Sequence, residues 1–453
     1  MTEASGASAA GGSPGESPQS PADLMSVLRS RGYHALLLAA ALIGLPIALI
    51  AFGFLAAVTA MEKWVWHTLP TQLGWDQPKA WYAVLVLTAA GLLVGVVVVR
   101  LPGRGGHLPA KGMAGGLTQP VDLTGVILAA TLSLVLGVVL GPEAPLIALG
   151  GGLAVLAASR TRLSQSPQGV ALIAAASSSA AIATIFGNPL VAAVLMLEVV
   201  GFAGRQVLLV LLPCLVSSGI GALIFTGMGS WTGIPVQSLE IPGLPAASVD
   251  WGDLLWVIPL AVLAAIGAQL CRRLGLRAAE ITATHTIATT TAAGLLVGAC
   301  AAAYTLITGH SALNVLQSGE AALPGLVSSP HSWSIATLLL LLAFKGVAYG
   351  VSLGSFRGGP TFPALFLGAA IGVLVGPLPG LGTTAGIAIG MTAATTAVLR
   401  LPVTSIVLVV LLLGPEGTSQ LPTILLAAAI AMVTAVALDG RRQDAGPPPG
   451  GET

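Results

Sequence analysis

Charge is scarce in this sequence. Of 453 residues, 8% are Asp, Glu, Lys or Arg, against 55% hydrophobic, whereas soluble domains carry about 25% charged residues. A soluble globular fold is therefore excluded on composition. The formal net charge is +1, which leaves no basic surface for nucleic acid. Cysteine is nearly absent: Cys214, Cys271 and Cys300 lie in or beside apolar runs without C-x-x-C spacing, so neither a disulfide frame nor a zinc site is expected. The six histidines form no pair with metal-ligand spacing. No His-Glu-x-x-His, no Gly-x-Ser-x-Gly and no paired aspartates occur, so an enzyme is not expected, and neither is a cofactor or metal. A cation pathway would call for rings of Asp or Glu, and none is apparent.

What the chain has in abundance is apolar sequence broken by glycine and proline. Apolar segments lie near 34–60, 81–101, 121–140, 143–158, 168–185, 189–200, 206–226, 253–270, 287–308, 334–353, 361–377, 383–399, 402–413 and 420–438. Some reach the roughly 20 residues needed to cross a bilayer, and several are too short. Short, interrupted helices at membrane depth are tolerated where they are buried in protein or line a cavity, and their ends then serve as ion sites. The pattern predicts an all-α polytopic membrane protein with many tilted, short and broken helices. Residues 1–22 read as a disordered tail without the basic segment of a signal peptide, and 439–453 as a short polar tail. Arg29 and Arg31 before the first span, Arg100, Arg104 and Lys111 after the second, and Arg441 and Arg442 at the end place both termini and the 100–111 loop on the cytoplasmic side of the cell's inner membrane.

The longest polar interruption, about Thr226 to Asp253, divides the apolar part into halves of similar size: a first repeat at 23–226, a linker at 227–252 and a second repeat at 253–438. In the first half, Gly141-Pro142-Glu143-Ala144-Pro145 breaks an apolar run and opens a helix. In the second, Arg357-Gly358-Gly359-Pro360-Thr361-Phe362-Pro363 does the same. Paired breaks of this kind point to a midplane binding site in an inverted-repeat transporter.

Glu143 is the residue around which the rest is organised. Pro142 suits the first position of a helix, so Glu143 falls in a first turn whose N–H groups have no intrahelical partner and whose dipole favours negative charge. It occupies the place a dissolved anion would choose. The alternative is a plain capping carboxylate, but a charge at membrane depth costs about 2.5–3.5 kcal/mol on insertion scales and is usually functional.

With these motifs in view, the chain from about Tyr33 to Leu438 resembles the CLC chloride channels and chloride/proton antiporters. Gly141 to Pro145 is similar to the family's G-[R/K]-E-G-P, and Gly358 to Pro363 to its G-G-x-F-x-P. Phe186-Gly187-Asn188-Pro189-Leu190, leading to Glu198, resembles the segment that ends in the family's inner glutamate. Lys345 lies upstream of the second break, as a lysine often does in the family. The Pro-Glu-x-Pro form is similar to a small, divergent bacterial branch of CLC-like ion-transport proteins. The resemblance implies a CLC-type inverted repeat, a homodimer with a pathway in each subunit, and transport of small anions, chloride first, with protons as a possible second substrate. It makes Glu143 the gate. It places the anion among Gly141, Pro142 and Ala144, among Thr361, Phe362 and Pro363, and in the Gly105-Gly106-His107 loop, where the family has G-S-G-I-P.

The chain also departs from that pattern. Gly106 stands where the chloride-coordinating serine would be, so anion binding is expected to be weaker, and a hydroxyl restored there is expected to strengthen it. His107 is either a substitute donor or a histidine of a solvated loop. Phe362 is displaced by one residue toward Pro363, about 100° around a helix. The family's C-terminal tyrosine has no counterpart; Tyr349 is the nearest buried tyrosine and reads as a packing residue. The inner proton-transfer position holds Val199, while the adjacent Glu198 is either a proton carrier by another route or a structural carboxylate that pairs with an arginine or caps a helix. Passive or loosely coupled transport gated by Glu143 is therefore expected, with an obligate antiporter using a non-standard route, or a CLC fold that has lost chloride selectivity, as alternatives. Gly414-Pro415-Glu416 reads as a loop turn rather than a third site.

Overall fold

The structure, a computed structural model, describes residues 21–113, 117–160, 166–201, 207–232, 240–241 and 243–443. Residues 1–20 of the expected N-terminal tail, part of the linker and the end of the C-terminal tail fall outside the described residues, while Pro21 and Ala22, expected in that tail, open the first helix. The described residues form helices α1 (Pro21–Leu28), α2 (Arg31–Lys63), α3 (Leu69–Gln72), α4 (Ala80–Arg100), α5 (Leu123–Val135), α6 (Glu143–Ala158), α7 (Pro167–Phe186), α8 (Pro189–Val200), α9 (Val207–Thr232), α10 (Trp251–Thr284), α11 (Thr286–Thr308), α12 (Leu323–Ser328), α13 (Ile335–Ser355), α14 (Thr361–Val375), α15 (Thr383–Leu399), α16 (Pro402–Leu412), α17 (Pro415–Ser419) and α18 (Leu421–Gln443). The protein is an all-α, multi-pass membrane protein. Eight helical segments are long and apolar enough to cross a membrane, while α5, α6, α8, α14, α15 and α16 are apolar but shorter.

Local sequence sets the helix starts. Ser30, Ser166 and Ser334 accept N–H bonds from Tyr33, Gly169 and Thr337, and Asn188 from Leu190. Asp250 and Asp253 form a reciprocal capping box at the start of α10. These side chains satisfy orphan N–H groups that lipid would leave unmet.

Several bounds differ from the sequence reading. The apolar run to Leu140 is not all helix: α5 stops at Val135, because Gly137 takes φ +87° against the Trp66 ring and the Trp66 indole donates to the Val135 carbonyl at 3.1 Å. The first span runs through Glu62 and, by a π-turn, on to Gln72. At the other end, α18 continues past Leu438 because Asp439 pairs with Arg400 at 2.6 Å and Arg272 at 3.4 Å. Gly414-Pro415-Glu416 opens the five-residue helix α17 rather than a loop turn, and Glu416 accepts the Ala247 N–H at 3.0 Å.

The two halves run in step. After each Gly/Pro break come a short helix (α6, α14) and a second helix (α7, α15). Each second helix ends in a left-handed residue, Gly187 or Arg400, followed by a short helix with proline in its first turn (α8, α16). The packing corresponds as well. α6 lies on α7 as α14 lies on α15; α7 touches α2 and α9 as α15 touches α10 and α18; and α8 meets α16 across the middle. The breaks themselves meet in an antiparallel bridge between Gly141 and Gly359. We propose on this basis that the described chain comprises two repeats of opposite orientation, joined near the Thr226–Asp253 interruption.

Candidate functional site

The site begins at that bridge. Gly141 N–H donates to the Gly359 carbonyl at 2.7 Å and Gly359 N–H to the Gly141 carbonyl at 2.5 Å. This exchange uses the backbone groups of both glycines and brings the starts of α6 and α14 together. No side chain fits there, since a Cβ built on either glycine would run into the Glu143 carboxylate.

Glu143, the first residue of α6, is fully buried. Its Oε1 accepts the N–H of Phe362, in the first turn of α14, at 3.2 Å. Thr361 presents its hydroxyl to the same carboxylate without reaching hydrogen-bond geometry, and Oε2 has no partner among the described residues. The carboxylate therefore reaches from the start of its own helix to the N-terminus of the other half's helix, where backbone N–H groups and the dipole attract an anion. Tyr349 is buried and donates to the Pro360 carbonyl at 2.6 Å, which fixes the residue preceding α14 and leaves the hydroxyl proton committed. The Phe362 ring packs on Phe186 at 5.9 Å.

Two cavities flank this segment. One, of about 260 Å³, touches Ala144, Pro145, Gly358 and Arg357 together with Gly105, Gly106 and His107. The other, of about 60 Å³, touches Leu140 and Pro142 together with Glu62, Gln317 and Glu320. Glu143 stands in the chain between Pro142, which faces the small cavity, and Ala144, which faces the large one.

The expected anion-site residues divide accordingly. Gly141, Thr361 and Phe362 surround the carboxylate, and Pro363 continues α14 beside them. Ala144, Gly105, Gly106 and His107 line the larger cavity, and Pro142 the smaller. Gly106 has φ +87° and ψ −158°, a conformation that L side chains rarely take, with Val126 3.1 Å from the place of a Cβ. The loop is thus built for glycine, and a serine would not simply slot in. His107 Nε2 meets the Gly112 carbonyl at 3.0 Å. Desolvation at the cavity mouth holds its imidazole below the ordinary histidine value; Lys111 and Arg357 push the same way and the Gly112 contact opposes them. Glu198 is not at the cavities. It caps α16, accepting from Val403 N–H at 3.0 Å, Thr404 N–H at 2.7 Å and the Thr404 hydroxyl at 2.5 Å.

Residues 109–436 match the family described as voltage gated chloride channel. The chain belongs to that family. As a CLC protein it is a membrane transporter of anions. The match begins at Pro109, just past the Gly105–His107 loop. The putative ion-transport protein YfeO of Escherichia fergusonii is 26% identical over 355 residues, 77% of this chain and 80% of the relative. That of Escherichia coli strain SE11 is 27% identical over 354 residues, with the same coverage. The fold is shared with a slow cyanobacterial Cl⁻/H⁺ antiporter (TM-score 0.71, 21% identity, 90% of this chain and 95% of the other). It is also shared with a CLC-type fluoride/proton antiporter (TM-score 0.66, 17% identity, 88% and 95%).

Two features of this CLC chain escaped the sequence reading. Glu62 and Glu320 come together at the smaller cavity from points far apart in sequence, so no local pattern marks them. In the sequence Arg357 marks only the opening of the second break. Its burial was the missing fact, although a lone arginine between apolar helices is itself a signal at membrane depth.

Proposed function

We propose that the protein moves small monovalent anions, chloride among them, across the cytoplasmic membrane, and that protonation of Glu143 opens the pathway. The observation that carries this reading is the carboxylate of Glu143 seated on the N-terminal N–H of α14, between two cavities, with one oxygen unpartnered. Ionised, it fills an anion position. Protonated, it loses its attraction to the helix N-terminus, and an anion takes the seat. Transport is passive or loosely proton-coupled. Support for that comes from Val199 at the usual proton-transfer position and from Glu198, whose oxygens are committed to α16. Both termini face the cytoplasm, which places the larger cavity, beside the Arg100–Lys111 loop, on the inner side. By family resemblance the protein works as a homodimer with a pathway in each subunit.

Exchange is the second reading, because two proteins that share the fold are described as anion/proton antiporters. The deciding experiment is anion efflux from proteoliposomes as a function of pH, with proton uptake recorded in parallel. Acid is expected to raise wild-type flux. Glu143→Gln, which mimics the protonated carboxyl, is expected to conduct at neutral pH with a flat profile. Parallel pH curves for the two proteins would remove the gate, and proton uptake in fixed ratio to anion flux would replace the passive reading with exchange.

A further inference from the structure

Among the buried and half-buried basic residues, Arg400, Lys345 and Arg357 meet different fates. Arg400 reaches Asp439 at 2.6 Å. Lys345 is fully buried without a carboxylate, but its ammonium donates to the carbonyls of Asn314, Val315 and Leu316, each at 3.1 Å, and of Gln317 at 3.4 Å, and lies over the Phe366 ring. Its donors are spent. Arg357 differs. It is 7% exposed, and among the described residues no carboxylate lies within ion-pair distance. Its Nη1 and Nη2 donate to the carbonyls of Phe356 and Arg104, both at 3.1 Å, while Nε, also buried, has no partner among the described residues.

A guanidinium does not deprotonate in a protein, and a buried charge needs a counter-charge or a full set of hydrogen bonds. Arg357 has neither, and it lines the larger cavity. The other charged or titratable groups there are His107 and Asp122. His107 is held toward its neutral form at neutral pH, and Asp122 makes no ion pair with Arg357. The lining also includes Ala144 and Pro145, in the first turn of α6, at its positive dipole end.

We propose that Arg357 is the anion-binding residue of this cavity: its guanidinium holds a small monovalent anion on the inner side of Glu143. It supplies by charge what the loop at Gly106 cannot supply by a hydroxyl. This rests on the reading of the protein as an anion transporter. Removing a charged donor from a bound anion weakens affinity by about tenfold or more.

The test is calorimetry with chloride and with nitrate on purified protein, alongside anion flux from proteoliposomes. Wild type is expected to bind, Arg357→Lys to keep most of the affinity, and Arg357→Gln to lose at least tenfold. Because Arg357 also holds two carbonyls, a second pair is included. Ala148 lines the same cavity; Ala148→Asp gives the guanidinium a carboxylate while leaving its carbonyl contacts in place, and Ala148→Asn is the neutral control. Loss of binding in Ala148→Asp alone supports the assignment. Wild-type affinity in Arg357→Gln, or equal affinity in Ala148→Asp and Ala148→Asn, overturns it. If wild type itself neither binds nor conducts anions, the transport reading fails; if wild type does both while these variants match it, only the role of Arg357 fails.

Discussion

Gly141 and Gly359 exchange two backbone hydrogen bonds, at 2.7 and 2.5 Å, although 218 positions separate them, 359 less 141. One clasp thus joins the two halves of the chain at the point where each supplies a helix N-terminus, and it sets the width of the seat that Glu143 occupies.

Alanine at position 359 tests that width. Gly359 does not have a positive φ, and the atoms nearest to an added methyl group belong to the Glu143 side chain, its carboxylate first. Gly359→Ala is expected to push the carboxylate out of its seat and raise anion flux at pH 7.5 toward that of Glu143→Gln, with a flattened pH profile. Wild-type pH dependence in a folded Gly359→Ala protein would show that the seat is elsewhere.

Glu198 makes a different prediction, one of stability. It accepts two N–H bonds at the start of α16. Replacing a helix cap costs roughly 0.5–2 kcal/mol. Glu198→Gln keeps one acceptor, so a melting temperature a few degrees lower is expected, with the ratio of proton to anion movement unchanged. A changed ratio at unchanged stability would restore Glu198 to the proton route.

Position 106 was expected to gain from a hydroxyl, and its backbone argues otherwise. A non-glycine residue held in such a conformation costs about 1–3 kcal/mol. Gly106→Ser is expected to lower the melting temperature and leave chloride affinity where it is. Tighter chloride binding by calorimetry would show that the loop rearranges to present the hydroxyl.

His107 bears on pH. Its folded pKa lies below the unfolded value, so the unfolded chain binds the proton more readily, and stability falls as pH drops from the ordinary histidine value of about 6.5 toward the lowered one. Above that window the ring is neutral and adds no charge to the cavity. His107→Gln is therefore expected to leave anion affinity at pH 7.5 within about twofold of wild type, and a larger loss by calorimetry would make the imidazole a ligand.

Much of this was legible in the residues. Each short helix follows a visible Gly/Pro break, and Glu143 stood out because a carboxylate between apolar runs has few innocent explanations. The contacts were less legible. Oε1 of Glu143 faces Phe362, and nothing at either position names the other; the link exists only through the Gly141–Gly359 bridge. Glu198 shows the same limit from the opposite side. As a carboxylate beside the position to which the family resemblance assigns proton transfer, it invites a role in transport, and only the arrival of α16, folded from sequence 205 residues downstream, reveals what its oxygens hold. Gly106 was legible as a missing hydroxyl but not as a backbone that excludes side chains, because φ is not written in residue identity when the residue is glycine.

The separation between Glu143 and Phe362, 219 residues, also sets a schedule for biogenesis. At about 5–20 residues per second of synthesis, the ribosome takes roughly 10–40 s to deliver the amide that receives the carboxylate. Throughout that interval the first half carries a glutamate with no seat, and α6 opens on a chain end that nothing clasps. The insertion machinery must therefore hold an unfinished half-protein, and the seat of Glu143 is completed only once α14 has been made.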